Sequence, residues 1–174
     1  MTISVLLDTS FLISLVDRNR PNHKVAGQYY KYLIEQKSAI YLSAIVASEF
    51  AIKQAITDLP LKNFRILPFN ITHSVESARL SNLLGPKDTS DNRAVVREDV
   101  KIMAQASHEN IDFILTEDGA TLFKYCHRLQ KAGNLNVRAI KLADGFDSSE
   151  LRLDGQKSVF SVTEDEDSLI GGEP

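Results

Sequence analysis

The 174-residue chain predicts an α/β protein built on a parallel sheet, and three observations carry that expectation. Aliphatic or β-rich stretches of strand length recur five times. Segments with a near-3.6-residue apolar rhythm separate them. The strand-like runs are short and nearly all apolar, which suits parallel strands covered by helices on both faces.

The elements follow in order. Residues 3–7, ISVLL, predict the first strand, and the apolar pattern resumes after Asp8, Thr9 and Ser10 in a helix starting near Ser10. Residues 23–37, HKVAGQYYKYLIEQK, set Val25, Tyr29, Tyr32 and Leu33 on one helical face. Residues 39–43, AIYLS, predict a second strand, and residues 44–56, AIVASEFAIKQAI, a helix after it. Residues 65–69, RILPF, predict a third strand, followed by a helical segment at 74–84. The loop LLGPKDTSDN, residues 83–92, has Gly85 and Pro86 as breakers and Ser90 or Asp91 as candidate caps. The next helix carries REDVKIMAQASHEN, residues 97–110. Residues 112–116, DFILT, and 135–142, LNVRAIKL, predict the last two strands, with ATLFKYCHRL between them as a helix.

Composition narrows the class. The chain is 43% hydrophobic and 25% charged, as expected of one ordinary globular domain. No apolar run approaches the roughly 20 residues of a membrane-spanning helix, and the start lacks the basic and small-residue features of a secretion signal. A cytoplasmic location is the expectation. The single cysteine, Cys126, has no partner for an internal disulfide and reads as a small buried hydrophobe. The net charge of −3 hides an asymmetry: residues 1–142 hold 18 basic and 14 acidic side chains, and residues 143–174 hold 2 and 9. The expected organisation is a mildly basic body, 1–142, and an acidic, partly disordered tail, 143–174, with a β-like island at 158–162. Such a body suits a polyanionic substrate met through metal ions, though an ordinary mixed surface explains the charge equally.

Four carboxylates stand out against this plan. In a parallel sheet the functional crevice lies beyond the C-terminal strand ends. Asp8 and Asp118 each follow a strand directly, Glu49 lies one turn into the helix after the second strand, and Asp99 lies early in the helix after the long loop. Each has a plainer reading. Asp8 and Asp118 suit helix N-caps. Glu98 and Asp99 suit the positive end of a helix dipole, and that is the preferred reading for Glu98. Asp99, however, shares an inward stripe with Met103 and Ala106. Glu49 lies among apolar residues, with no Lys or Arg between residues 40 and 52 to pair with it. Four acids without matching bases repel one another unless divalent cations neutralise them, and oxygen-only ligands select Mg²⁺ or Mn²⁺. The expected chemistry is metal-assisted phosphodiester hydrolysis, in which one or two ions bridge the scissile phosphate and lower the pKa of the attacking water. Thr9, Ser10 and Thr116 supply hydroxyls that orient the carboxylates, bound water or phosphate.

The ordered set LLDTSFLISL, SAIVASEF, EDVKIMAQA and ILTEDGATLF resembles the PIN domain family and, within it, the VapC-like ribonucleases of bacterial toxin–antitoxin pairs. The resemblance spans residues 3–142 and assigns Asp8, Glu49, Asp99 and Asp118 to the family's metal-binding acids, with Thr9 and Thr116 as its associated hydroxyls. It implies a three-layer α/β/α sandwich with a central parallel sheet of about five strands. It also implies Mg²⁺- or Mn²⁺-dependent cleavage of RNA, a homodimer and an antitoxin partner. RPNHKVA resembles the family's helix opening around a histidine, and His23 reads as structural. Glu117 adds an acid beside Asp118; of its two readings, taking over the role of Asp118 or facing solvent, solvent is the expectation. The tail extends beyond the compact toxins of the family, which bears on the toxin role more than on the fold.

Other features have plain explanations. Arg93, Arg97 and Lys101 form a stripe expected on a solvated face, away from Asp99. Tyr29, Tyr30 and Tyr32 suit core or dimer packing better than base stacking. The EDED run at 164–167 raises the idea of an electrostatic competitor for RNA, beside the simpler one of a solubilising end. Two other functions fit parts of the sequence: a catalytically silent PIN-fold binding module, and another Mg²⁺-dependent phosphohydrolase. The second is disfavoured because a haloacid-dehalogenase-like phosphatase wants an Asp where Ser10 stands.

Overall fold

Alternation of strand-length apolar runs with amphipathic helices produces one five-stranded parallel sheet in the computed structural model, which describes residues 2–153. The strands are β1 (Ser4–Leu7), β2 (Ala39–Ser43), β3 (Arg65–Leu67), β4 (Phe113–Thr116) and β5 (Arg138–Lys141). Their spatial order is β3-β2-β1-β4-β5, so β1 and β4 are central. The register pairs Val5 with Ile40 on one side and with Phe113 on the other. Central strands are enclosed from both faces, and Val5, Leu6, Leu7, Ile114 and Leu115 are accordingly inaccessible to solvent.

Six helices complete the layers: α1 (Thr9–Val16), α2 (His23–Glu35), α3 (Ala44–Lys53), α4 (Ile71–Leu84), α5 (Arg93–His108) and α6 (Leu122–Lys131). Right-handed crossovers fix their sides. The chain steps from β1 through β2 to β3 in one direction, then returns and steps from β4 to β5 in the other. The first three helices therefore share one face, where α1 packs on α2 and α3, and the last three share the other, where α5 packs on α4 and α6. The three-layer sandwich expected from the sequence is present. The sheet order reverses between β1 and β4, and at such a switch point the following loops splay apart and leave a crevice.

The cap of α5 differs from the sequence expectation. Neither Ser90 nor Asp91 caps α5; Asn92 does, its side chain accepting from the Ala94 amide. Asp91 is drawn away by Tyr125, whose hydroxyl donates to Asp91 Oδ2 at 2.5 Å, and by Lys124 at 2.6 Å. The stretch set apart by composition after Leu142 stays packed on the body through Leu151, which is buried. Phe146 meets Tyr29 edge-on, and the Tyr29 hydroxyl donates to the Gly145 carbonyl. The 158–162 island and the 164–167 acidic run lie outside the described residues. All three tyrosines of α2 pack within the chain, Tyr30 against Phe64 and Tyr32 against Phe146.

Candidate functional site

The crevice at the switch point holds all four acids singled out by the sequence. A cleft of about 500 Å³ is lined by Asp8, Glu49, Asp99 and Asp118, which arrive from β1, α3, α5 and the loop after β4. Asp8 and Asp99 are buried, while Glu49 and Asp118 are partly exposed. Among the described residues, no Lys, Arg or His forms an ion pair with any of them.

The sequence places each acid for local reasons, and the plain and functional readings prove compatible. Asp8 is the N-cap of α1, and its Oδ2 accepts from the Ser10 amide at 3.3 Å. The same oxygen accepts from Ser10 Oγ at 2.6 Å and Thr116 Oγ1 at 2.8 Å. Each hydroxyl also accepts a backbone amide, Ser10 from Glu117 and Thr116 from Asp118, which stitches the ends of β1 and β4 together. Among the described residues no side chain donates to Asp8 Oδ1. Asp118 caps the turn into α6 through Oδ1, which accepts from the Ala120 and Thr121 amides. Thr9 Oγ1 donates to Glu49 Oε2 at 2.5 Å. Thr9, Ser10 and Thr116 thus all touch the acids they were expected to orient.

Thr121 escaped the sequence reading. Its hydroxyl lies 2.5 Å from Asp99 Oδ2 and 2.6 Å from Asp118 Oδ2. Thr121 thereby bridges the two carboxylates. Burial, and then the neighbouring charges of Asp8, Asp118 and Glu49, push Asp99 up to about 7. Burial acts against Asp118 as well, but hydrogen bonds from Thr121, Ala120 and Leu122 outweigh it and hold its carboxyl below the ordinary value. Burial also raises Asp8 and Glu49, against the hydrogen bonds they accept. The sequence signal for Thr121 was a hydroxyl three residues after a capping aspartate, within reach of the same helix start.

Several neighbours depart from expectation. Glu117 does not face open solvent: Ser14 Oγ at 3.0 Å and Arg20 Nη2 at 2.7 Å donate to Oε2, and Asn22 Nδ2 at 2.8 Å donates to Oε1. The buried Ser14, the half-buried Asn22 and the exposed Arg20 draw the carboxylate inward, and its pKa falls because those bonds outweigh desolvation. Arg97 was assigned to a solvated face away from Asp99, yet it borders the cleft, as do Arg20, Lys53 and Glu98. At the first turns of a helix entering a crevice, neighbouring positions reach around the rim despite their angular separation. His23 is structural, its Nδ1–H donating to the Ser14 carbonyl at 3.0 Å. Cys126 is buried and its thiol is pushed up to about 12 by burial, so it is no nucleophile.

The donor set suits a hard divalent cation. It offers oxygen ligands alone, carries excess negative charge and contains three carboxyls raised above their ordinary values. The four acids are spaced more widely than the one three-residue grouping whose ligating atoms all lie within 4.8 Å of one another among the described residues, which is His73, His108 and Glu109. Wide spacing suits Mg²⁺, an ion that retains several waters.

The family model for the PIN domain matches residues 5–125, a span that contains all four acids. This chain belongs to the PIN domain family. Solved structures similar to this PIN domain include VapBC2 from Rickettsia felis bound to a DNA fragment from its promoter, at 16% identity and TM-score 0.54, covering 78% of this chain and 97% of that one. FitAcB from Neisseria gonorrhoeae matches at 20% identity and TM-score 0.55, covering 80% and 98%. VapC20 from Mycobacterium tuberculosis, described as a sarcin-ricin loop cleaving toxin, matches at 17% identity and TM-score 0.52, covering 78% and 99%. At such identities the likeness establishes the fold. The comparison with curated protein sequences found no match. Among the described residues, no helix of this PIN domain is long and apolar enough to cross a membrane.

Proposed function

We propose that this PIN domain is a divalent-metal-dependent endoribonuclease, the toxin component of a toxin–antitoxin pair. The observation that carries the reading is a single cleft lined by four carboxylates from four elements, none of them ion-paired among the described residues and three raised in pKa. A fold that keeps acids together at such electrostatic cost needs a cation to offset it.

Asp8, Glu49, Asp99 and Asp118 would hold Mg²⁺ or Mn²⁺, which when bound supplies charge neutralisation at the phosphate and activation of water. The chain's own residues do the rest. Ser10 and Thr116 hold Asp8 by one oxygen and leave the other available. Thr9 orients Glu49, and Thr121 orients Asp99 against Asp118. Asp99 ligates as a carboxylate, and its raised pKa means that protonation competes with metal binding there. The basic side chains of Arg20, Lys53 and Arg97 on the cleft lining suit the phosphates of RNA.

The toxin role draws on the structural neighbours, which include VapBC and FitAB assemblies and a toxin. An antitoxin partner, a homodimer and a cytoplasmic location belong to the same proposal. The deciding experiment incubates a defined single-stranded RNA pool with the protein and Mg²⁺, Mn²⁺ or EDTA. Cleavage in the first two and none in EDTA is expected. Activity that persists in EDTA would reject the mechanism, and binding without cleavage in any metal would favour the silent module.

A further inference from the structure

We propose that Glu117 is a positioning residue that presents Arg20 at the mouth of the cleft to a phosphate of the RNA backbone. The proposal rests on the ribonuclease reading and adds to it a specific grip on substrate. Arg20 lines the same cleft as the four acids, and its side chain is 41% exposed. Among the described residues its side chain makes one bond, Nη2 to Glu117 Oε2 at 2.7 Å. A guanidinium carries five N–H donors in a planar fork, so most of them stay available for a phosphate.

The mount is rigid. Glu117 follows Thr116 at the end of β4, and its amide is held by Ser10 Oγ at 2.8 Å. Its carboxylate is braced from two further directions, by Ser14 and Asn22. The chain around Arg20 is fixed as well: Asp17 Oδ1 accepts from the Asn19 amide, the Asp17 carbonyl accepts from the Arg20 amide, and the Arg20 carbonyl accepts from the His23 amide. His23 in turn bonds back to Ser14. One carboxylate thereby ties α1, the turn after it and the start of α2 to the end of β4. An additional carboxylate beside a polyanion site is unfavourable in itself. Its presence is intelligible if it spares Arg20 the entropy of ordering a long side chain when substrate arrives.

That argument fixes the sign of a test. Were Glu117 acting only through charge, removing it would tighten binding to RNA; as a positioning residue, its removal weakens binding. The probe is a short fluorescein-labelled single-stranded RNA of mixed sequence, with Ca²⁺ replacing Mg²⁺ to keep it intact, titrated over a salt series by anisotropy. Arg20→Ala is expected to weaken binding by about tenfold and make the log–log salt slope shallower by about 0.7, one phosphate contact's worth. Glu117→Gln is expected to weaken binding by about threefold to tenfold, and the double variant to be no weaker than Arg20→Ala. With Mg²⁺, KM rises in both single variants while kcat stays within about twofold. Should Glu117→Gln fail to fold, Asn22→Ala and Arg20→Lys carry the test, and both must weaken binding. Unchanged or tighter binding in Glu117→Gln, or no effect of Arg20→Ala, overturns the proposal while parental cleavage keeps the ribonuclease reading standing. A parent protein that neither binds nor cleaves RNA removes both.

Discussion

The acid cleft and the cluster of His73, His108 and Glu109 both bring metal-ligating side chains together, but only one of them is left wanting a ligand. His73 is buried, and its Nδ1 accepts from the Asn70 amide at 3.2 Å in a capping box that starts α4. That acceptor role places the ring proton on Nε2, which donates to Glu109 Oε1 at 2.9 Å. No lone pair remains on His73 for a metal unless the cap breaks. In the cleft the balance runs the other way: among the described residues Asp8 has one oxygen saturated and one that no side chain reaches, and Asp99 and Asp118 share a single hydroxyl. Proximity of ligating residues is therefore a weaker sign of a site than unmet charge and unmet hydrogen bonds.

The sharpest way to break this contrast is to neutralise the cleft. Asp8→Asn or Asp99→Asn is expected to lower Mg²⁺-dependent cleavage by about 100-fold or more, measured on a defined RNA. Above about pH 7, Asp99→Asn should leave the metal-free protein melting no lower than the parent, because it removes a repelled buried charge. The next test asks where an ion binds. Saturating Mn²⁺, at about 100 times its Kd, should stabilise the parent by about 2.7 kcal/mol in thermal unfolding. The stabilisation should vanish in Asp99→Asn and survive in His108→Ala; the reverse pattern would move the metal to the histidines. His73→Ala is expected to cost about 2 kcal/mol of stability in denaturant unfolding, through the lost cap and buried contacts, with cleavage per folded molecule unchanged. Thr121→Val should lower kcat by about tenfold, since the acids it aligns remain but lose their shared hydroxyl.

A further test concerns pH. The folded-state pKa of Asp99 is raised to about 7, so between the ordinary aspartate value of 3.8 and about 7 the folded protein binds more protons than the unfolded one. Its stabilising contribution is complete below that window and is lost as pH rises through it. Melting of the metal-free protein across this range should show the decline, and Asp99→Asn should flatten it.

Much of this was legible in one dimension because strand ends in a parallel sheet announce themselves. A hydrophobic run that stops at an acid, as VLLD does, marks a C-terminal edge, and two such edges bracket a crevice. Asp99 was visible through the apolar stripe it heads, Glu49 through the lack of a nearby base. Arg20, the inward turn of Glu117 and the bond from Thr121 to Asp99 were not, because each depends on contacts between residues far apart in sequence. Arg20 and Glu117 are separated by 97 positions, and no periodicity links them.

The sequence by itself therefore determined which segments become strands and helices and which acids stand at strand ends, since burial periodicity and capping preferences act over a few residues. Tertiary structure decided what those acids experience. Only the reversal of strand order between β1 and β4 brings four carboxylates into one low-dielectric cleft, where burial raises three of them and repulsion adds to it at Glu49 and Asp99. The same folding gives Glu117 its three donors and leaves His73 with no lone pair to offer. Charge and hydrogen-bond demand depend on distances across the fold, and those distances do not exist until the chain has closed on itself.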